Sequence, residues 1–386
     1  MKVCIARNAE ARTNAALARV SDALRAEYQD VCILSRNRYS DEKRGVKKKD
    51  YTVNGRISID NYEIILKSTP GKGMINIFQL IAFQVSIFIW LFRNKTKYDV
   101  IHAFDLDVGL PAYFIAKTIN KKYVYHIADF YVDSRSALPS RLKSIIRKIE
   151  HLVINNAIST IVCTEERIKQ IEGSNPKSLT VIHNTPIVSK ELINQVTGED
   201  EISLKKQNIV FTYVGGLGKS RFIESALEVI KDYPQIILNI AGMGALTDYV
   251  SEISNRFDNI NYYGMIDYTE AIKLYSKTDF MFAIYDPKVP NHKFSAPNKV
   301  YEAMMLGKPI IIASGTGIDK IVTENNMGFV IEYTEEAFRN LVSKIASDSI
   351  DWEVLGDNAR AAYTKYSWPT MKKRLTELYR EIESNL

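Results

Sequence analysis

Cysteine is scarce. The 386 residues hold three, Cys4, Cys32 and Cys163, widely spaced and each inside an apolar run. So sparse and odd a set is no disulfide framework, and no two lie close enough to begin a zinc pair. Buried thiols in a reducing compartment are the expected reading. No leader is expected either. After Lys2 the stretch MKVCIARNAEARTN has no sustained apolar core, so no secretory signal is expected and the chain is read as cytoplasmic. With 46% apolar and 25% charged residues, neither a collagen-like fibre nor a disordered chain is in play. One-sided charge is also missing overall: Lys and Arg number 51 against 45 Asp and Glu, a net of +6.

The distribution of that charge is uneven. Residues 1–190 carry 30 Lys and Arg against 18 Asp and Glu, a net of +12, while residues 191–386 carry 21 against 27, a net of −6. Two domains facing different partners are implied, the basic one suited to an anionic surface or substrate. Length agrees, at two to three domains of roughly 150 residues each.

Short apolar runs alternate with helical patterns from end to end. Strands are expected at 3–6, 31–34, 63–67, 100–104, 123–127, 160–163 and 179–182, with helices at 14–27, 75–92, 108–119, 140–156 and 165–171 between most of them. Residues 186–207 are polar and acidic without a trusted period, and read as a linker. The rhythm then resumes with strands at 209–214, 236–241, 260–263, 280–284 and 309–313, and helices at 222–231, 245–257, 268–275 and 298–306. A helical tail spans 368–383. The expected fold class is α/β: two doubly wound, Rossmann-like domains (1–185 and 208–366) facing across a cleft, with residues 367–386 crossing back to the first.

Residues 74–92 run MINIFQLIAFQVSIFIWLF without a charge, followed by Arg93, Lys95 and Lys97. The length suits a bilayer span. Asn76, Gln79 and Gln84 dilute the segment, and it lies between two strands of one sheet, so a buried crossover helix is the first expectation and one leaning on a membrane the second. The run Arg38–Lys49 and the cluster Arg135, Arg141, Lys143, Arg147 and Lys148 share this half, so an interface facing anionic lipid is the favoured reading, with an ordinary solvated face as its alternative.

The turn YVGGLGKSRF is the most informative. A strand ends in Gly215 and Gly216, Gly218 follows, and Lys219, Ser220 and Arg221 open the next helix. Glycines admit close backbone approach, and amides with two cations at a helix start suit a diphosphate. A P-loop would need glycine at position 213, where Tyr213 stands. In HKFSAPNKVYEAMMLGKP, Pro297 starts a helix that carries Lys299 and Glu302 and ends at Gly307. Glu302 could accept two hydrogen bonds from a vicinal diol such as a ribose, or simply pair with Lys299. The loop Gly315–Asp319 would add further amides. Asp105-Leu106-Asp107 reads as a turn and helix cap.

These runs, with AGMGAL (241–246), NINYYGMID (259–267), LYSKTDFMFAIYDP (274–287) and SWPTMKKRLTELY, resemble the nucleotide-sugar domain of GT-B glycosyltransferases, closest to the retaining family-4 group. The first half resembles the acceptor domain through YDVIHAFD, VYHIADFY, VCTEE and VIHNTP. The resemblance implies that Glu302 binds the donor ribose with Gly242, Asn298 and Lys299 beside it. Gly215, Gly216, Lys219, Ser220 and Arg221 would hold the donor diphosphate. The family's first glutamate falls on Phe294 and its diphosphate arginine on Gly216, so Lys219 and Arg221 must share that task. Asp129 keeps a family position on the acceptor side, and His126 would project to the same face if its strand continued. Asp129, His126 and Lys219 are the candidate catalytic groups.

The expected reaction transfers a sugar from a nucleotide diphosphate to a hydroxyl of a glycan, lipid-linked at the inner membrane face. The nucleotide sugar is a substrate; no metal or other cofactor is expected. A soluble enzyme on a small-molecule or protein acceptor, and a non-catalytic nucleotide-sugar binder, are the alternatives. The basic runs lack aromatic platforms, so no nucleic acid is expected as a partner.

Overall fold

The computed structural model describes residues 1–53, 57–68, 73–135, 138–197, 208–347 and 351–386. The chain divides into two compact units, residues 1–183 with 371–386 and residues 184–370.

The sheet of the first unit comprises β1 (Val3–Ala6), β2 (Val31–Asn37), β3 (Gly45–Val53), β4 (Ile57–Ile65), β5 (Val100–Phe104), β6 (Lys122–Ile127), β7 (Ser159–Val162) and β8 (Leu179–Val181). Their order is β3-β4-β2-β1-β5-β6-β7-β8, parallel except for the hairpin β3–β4 at one edge. β1, β2, β5 and β7 are buried along their whole length, which is why their sequences are dominated by apolar residues rather than alternating with polar ones.

The strand expected at 63–67 is β4, Ile57–Ile65, and the basic run ending at Lys49 enters β3. Its lysines are matched by acids: Lys47 pairs with Glu42, Lys48 with Asp60 at 2.9 Å and Lys49 with Glu63 at 2.6 Å. The three lysines of this edge strand are thus balanced by acids, and lysine at an edge discourages pairing with another chain.

Helix Gly73–Arg93 connects β4 to β5. Phe83, Ile87, Trp90 and Leu91 are buried against the sheet at helical spacing, and the Trp90 ring meets Tyr62 at 4.7 Å. The opposite stripe, Phe78, Ile81, Val85, Ile89 and Phe92, is 43–75% exposed. The helix is a crossover seated on its own sheet, which sets the spanning alternative aside. Among the described residues, no helix is long and apolar enough to cross a membrane.

A buried carboxyl fixes the loop after β6. Glu150, on helix Ser140–Asn156, accepts from the Tyr125 hydroxyl at 2.8 Å and the Tyr131 amide at 3.2 Å. Burial pushes it up to about 8, with those two hydrogen bonds opposing the shift. The folded chain therefore holds a proton that the unfolded chain releases near pH 4.5. Stability should fall as pH rises from about 4.5 to about 8. In Glu150→Gln that part of the slope should vanish in urea titrations run across the interval.

The second unit carries β9 (Ile209–Val214), β10 (Ile236–Ala241), β11 (Ile260–Tyr262), β12 (Phe280–Ala283), β13 (Ile310–Ala313) and β14 (Gly328–Ile331). All are parallel, in the order β11-β10-β9-β12-β13-β14. Numbered from β9 this is 3-2-1-4-5-6, the doubly wound Rossmann order. Within the segment read as a linker, Lys190–Thr197 form a helix, and 198–207 lie outside the described residues. The last helix, Trp368–Ser384, docks on helix Ala15–Glu27 of the first unit through Lys372–Asp22 at 2.9 Å and Arg380–Glu27 at 2.7 Å.

Candidate functional site

In a doubly wound sheet the connections diverge where the strand order reverses, leaving a crevice at the carboxyl ends of two strands. In the second unit those strands are β9 and β12. β9 runs out into Gly215, whose amide donates to Ala241 O at 2.9 Å, and the Leu217 amide donates to Met243 O at 3.0 Å. The turn is thereby clasped to the loop after β10. Only glycine fits the clasp. A Cβ on Gly242 (φ +131°) would stand 1.9 Å from Gly215 O, and one on Gly244 would stand 2.3 Å from Leu217 O. Gly216 faces open space.

Lys219, Ser220 and Arg221 do not open the next helix, as the sequence suggested; they form a separate 3-10 turn. Phe222 then adopts a left-handed conformation (φ 61°), and the helix proper is Ile223–Ile230. The reason is packing: the buried Phe222 ring lies against Tyr333 at 5.1 Å and Phe338 at 5.5 Å, which turns the chain before the helix begins. Ser220 O accepts from the Asp286 amide at 3.1 Å, tying the turn to the end of β12. Lys219 is exposed, whereas Arg221 lies over the Tyr285 ring at 3.8 Å.

Helix Asn298–Leu306 brings two buried charges to the same edge. Lys299 Nζ stands 4.6 Å from the centre of the Tyr213 ring and 6.0 Å from that of Tyr285. It would contact any Cβ at Gly215. Burial alone would lower its pKa; the Tyr285 and Tyr213 phenols and the Glu302 carboxylate outweigh that and raise it, so the ammonium stays charged. Glu302, 5% exposed, accepts from the Tyr268 hydroxyl at 3.2 Å. Asn298 is exposed at the first turn of the helix. One expected contribution is not offered: the Gly315 amide donates to Asp319 within its own loop, at 2.6 Å. A glycine turn, three cations and a recessed carboxylate at one sheet edge suit a diphosphate beside a diol.

Residues 197–362 match the family model described as "Glycosyl transferases group 1". The chain carries a group 1 glycosyltransferase domain. A curated relative is the D-inositol 3-phosphate glycosyltransferase of Corynebacterium urealyticum, 21% identical over 330 residues, spanning 79% of this chain and 76% of the relative. Among solved structures, sucrose-phosphate synthase from Thermosynechococcus elongatus superposes with a TM-score of 0.76 at 16% identity, covering 100% of both chains. Anabaena Alr3699/HepE in complex with UDP and glucose superposes with a TM-score of 0.67 at 16% identity, covering 98% of this chain and 99% of that one. The fold is GT-B.

Outside the group 1 domain, the acceptor-side candidates are separated. β6 ends at Ile127, the expected boundary, so the continuation on which the placing of His126 depended does not occur. His126 is buried instead: its Nδ1 pairs with His102 Nε2 at 3.0 Å, its ring stacks on Phe104 at 4.4 Å, and His102 Nδ1 pairs with the Tyr379 hydroxyl at 2.7 Å. Burial, with His102 beside it, holds His126 well below the usual imidazole range, so it stays neutral in the core. Asp129 lies on the loop beyond, with its exposed carboxylate 3.8 Å from Arg167. Asp105 is no cap for its own helix. At φ 54° it accepts from the amides of Ala128 at 2.8 Å and Asp129 at 3.0 Å, fixing that loop, and burial raises it to about 6. Sequence reasoning also missed Tyr213, Tyr268 and Tyr285. The signal for Tyr285 was an aromatic just past the end of a strand beside the order reversal.

Gly242→Ala should destabilise the glycosyltransferase domain by about 1–3 kcal/mol, because backbone must shift to admit the methyl group. Gly216→Ala, where space is open, should cost under about 1 kcal/mol. Urea unfolding of both variants measures the difference.

Proposed function

We propose that the chain is a retaining glycosyltransferase that moves a sugar from a nucleotide-diphosphate donor to a hydroxyl of a lipid-linked glycan in cell-surface polysaccharide assembly. The observation that carries the donor half is the crevice at the end of β9, with Lys299 against the glycine turn, Arg221 on Tyr285 and Glu302 recessed beside them. As the anomeric carbon becomes oxocarbenium-like, charge builds on the departing diphosphate. Cations and amides already in place stabilise that charge without reorganising. Lys219, Arg221 and Lys299 supply it with no resident metal in this reading, and Glu302 exchanges the Tyr268 hydroxyl for the ribose diol. UDP and glucose bound in the Anabaena neighbour support a nucleotide sugar as donor. Retention is what the family resemblance implies.

A lipid-linked acceptor is supported by the exposed stripe of helix Gly73–Arg93, which offers apolar side chains along most of a helix roughly 31 Å long. Exposed Arg93 and Lys95 follow it. Helix Ser140–Asn156 adds exposed Leu142, Ile145 and Leu152 together with Arg141 and Lys148. Apolar residues rimmed by cations suit peripheral contact with an anionic bilayer at the inner face of the cell membrane. A second reading, a soluble acceptor, is favoured by the pairing of Lys47, Lys48 and Lys49 with acids, which withdraws part of the basic charge.

Two measurements test these halves. In chelator-containing buffer, one of UDP, GDP, ADP, dTDP or their sugars should raise the melting temperature. At one hundred times its dissociation constant the gain is about 2.7 kcal/mol, and Glu302→Ala should reduce it. No shift with any of them would sink the donor reading. In flotation with vesicles containing anionic lipid, the wild type should rise, and Ile81→Glu with Ile89→Glu should stay at the bottom. A wild type that also stays down favours the soluble acceptor.

A further inference from the structure

Cys4 and Cys32 are each the second residue of their strand, and β1 and β2 run parallel with these two in register. Register partners in adjacent strands lie about 4.8 Å apart. Bridged cysteines have Cα atoms roughly 4.4–6.8 Å apart, so the sheet itself holds the pair at bridging distance. Both belong to the hydrophobic cluster that helix Gly73–Arg93 completes with Phe83, Ile87 and Leu91. The Cys4 thiol donates to Cys32, and that contact, with burial, holds the Cys4 proton well above the usual thiol range.

The two sulfurs differ in what lies outside them. Cys4 is wholly buried, whereas Cys32 lines a cavity of about 380 Å³ at the amino edge of the sheet. Lys2, Arg25 and Lys97 stand in the same wall, with Asp30 and Asp60. Lys97 donates to the Tyr62 hydroxyl at 2.9 Å. That bond, against desolvation, raises the ammonium, and Cys32 adds to the shift. A small oxidant can reach the outer sulfur through the cavity, and cations beside a sulfur favour the anion that reacts. A thiol reached from solution and backed by a second thiol that can resolve it is the arrangement of redox-sensing cysteines. Cys163 is placed otherwise: it is buried, and follows β7, three strands from β1.

We propose that Cys4 and Cys32 are a dithiol redox site, at which hydrogen peroxide closes a disulfide between β1 and β2. In the first step the Cys32 sulfur bonds to one peroxide oxygen and the O–O bond breaks. The thiol proton leaves on the other oxygen as water, and Cys32 becomes a sulfenic acid. In the second step the Cys4 sulfur bonds to the Cys32 sulfur, the S–O bond breaks, and the hydroxyl leaves with the Cys4 proton as a second water. Two thiols lose two electrons to one peroxide, and a dithiol reductant reverses the change. The bridge encloses helix Ala15–Glu27, on which the last helix docks. This site is independent of the donor and acceptor readings above.

Thiol counting on the full chain tests it. After peroxide in native buffer, titration in denaturant should find one free thiol in place of three, and dithiothreitol should restore all three. Proteolytic mass mapping of the monomer band from a non-reducing gel should join the Cys4 peptide to the Cys32 peptide. Cys4→Ser should leave Cys32 as a sulfenic acid that dimedone traps. Cys32→Ser should keep both of its remaining thiols free, a split that misfolding, which exposes every thiol, would not give. Three thiols surviving the peroxide, a linkage that forms only once urea is added, or Cys163 oxidised alongside Cys32 overturns the inference.

Discussion

The second unit depends on a backbone contact closer than any side chain would permit. Gly242 lies against Gly215 O and Gly244 against Leu217 O, and amide hydrogen bonds run between the same two loops. Without Cβ atoms, the turn after β9 and the loop after β10 merge into one rigid surface at the carboxyl edge of the sheet. Everything charged in the crevice is placed relative to that surface: Lys299 meets Gly215, and the 3-10 turn bearing Lys219 and Arg221 follows directly from it. A site preorganised in this way spends little free energy on reorganisation when a ligand arrives.

Charge of one sign does three different things in this chain. Across the hairpin β3–β4 lysines meet acids at a solvated edge, where each pair contributes little and the net field cancels. On helix Ser140–Asn156 cations border exposed apolar residues. In the first unit Arg36 and Arg38 share one amide oxygen, and in the crevice of the second unit Lys299 is buried among phenols. Burial separates these cases. A buried cation keeps its charge only where neighbours replace its water.

Helix Gly73–Arg93 shows how one apolar segment serves two solvents. Its inner stripe completes the core of the first unit and its outer stripe remains exposed, so its uniform hydropathy in sequence conceals an amphipathic role in a chain whose sheet covers one side only.

Much of this was legible in the residues. β1, β5, β9, β10 and helix Asn298–Leu306 fall within the expected runs, because parallel strands and buried helices write continuous apolar stretches bounded by turns. The glycine turn at 215–218 and the recessed Glu302 were visible as types at a strand end. The hairpin β3–β4 was not, since its lysines acquire their acids only across the turn. Nor was the burial of His126, which follows from β6 ending at Ile127 and from Phe104, His102 and Tyr379 closing around it. Phe222 breaking the helix, Asp105 tying a distant loop and Asn8 gathering two arginines are likewise contacts between residues remote in sequence. Sequence by itself determined which segments become strands and where the backbone must approach closely, because period and glycine act locally. Tertiary structure alone decided which charges meet and which side chains keep their water, because partner and desolvation are set only when distant segments pack.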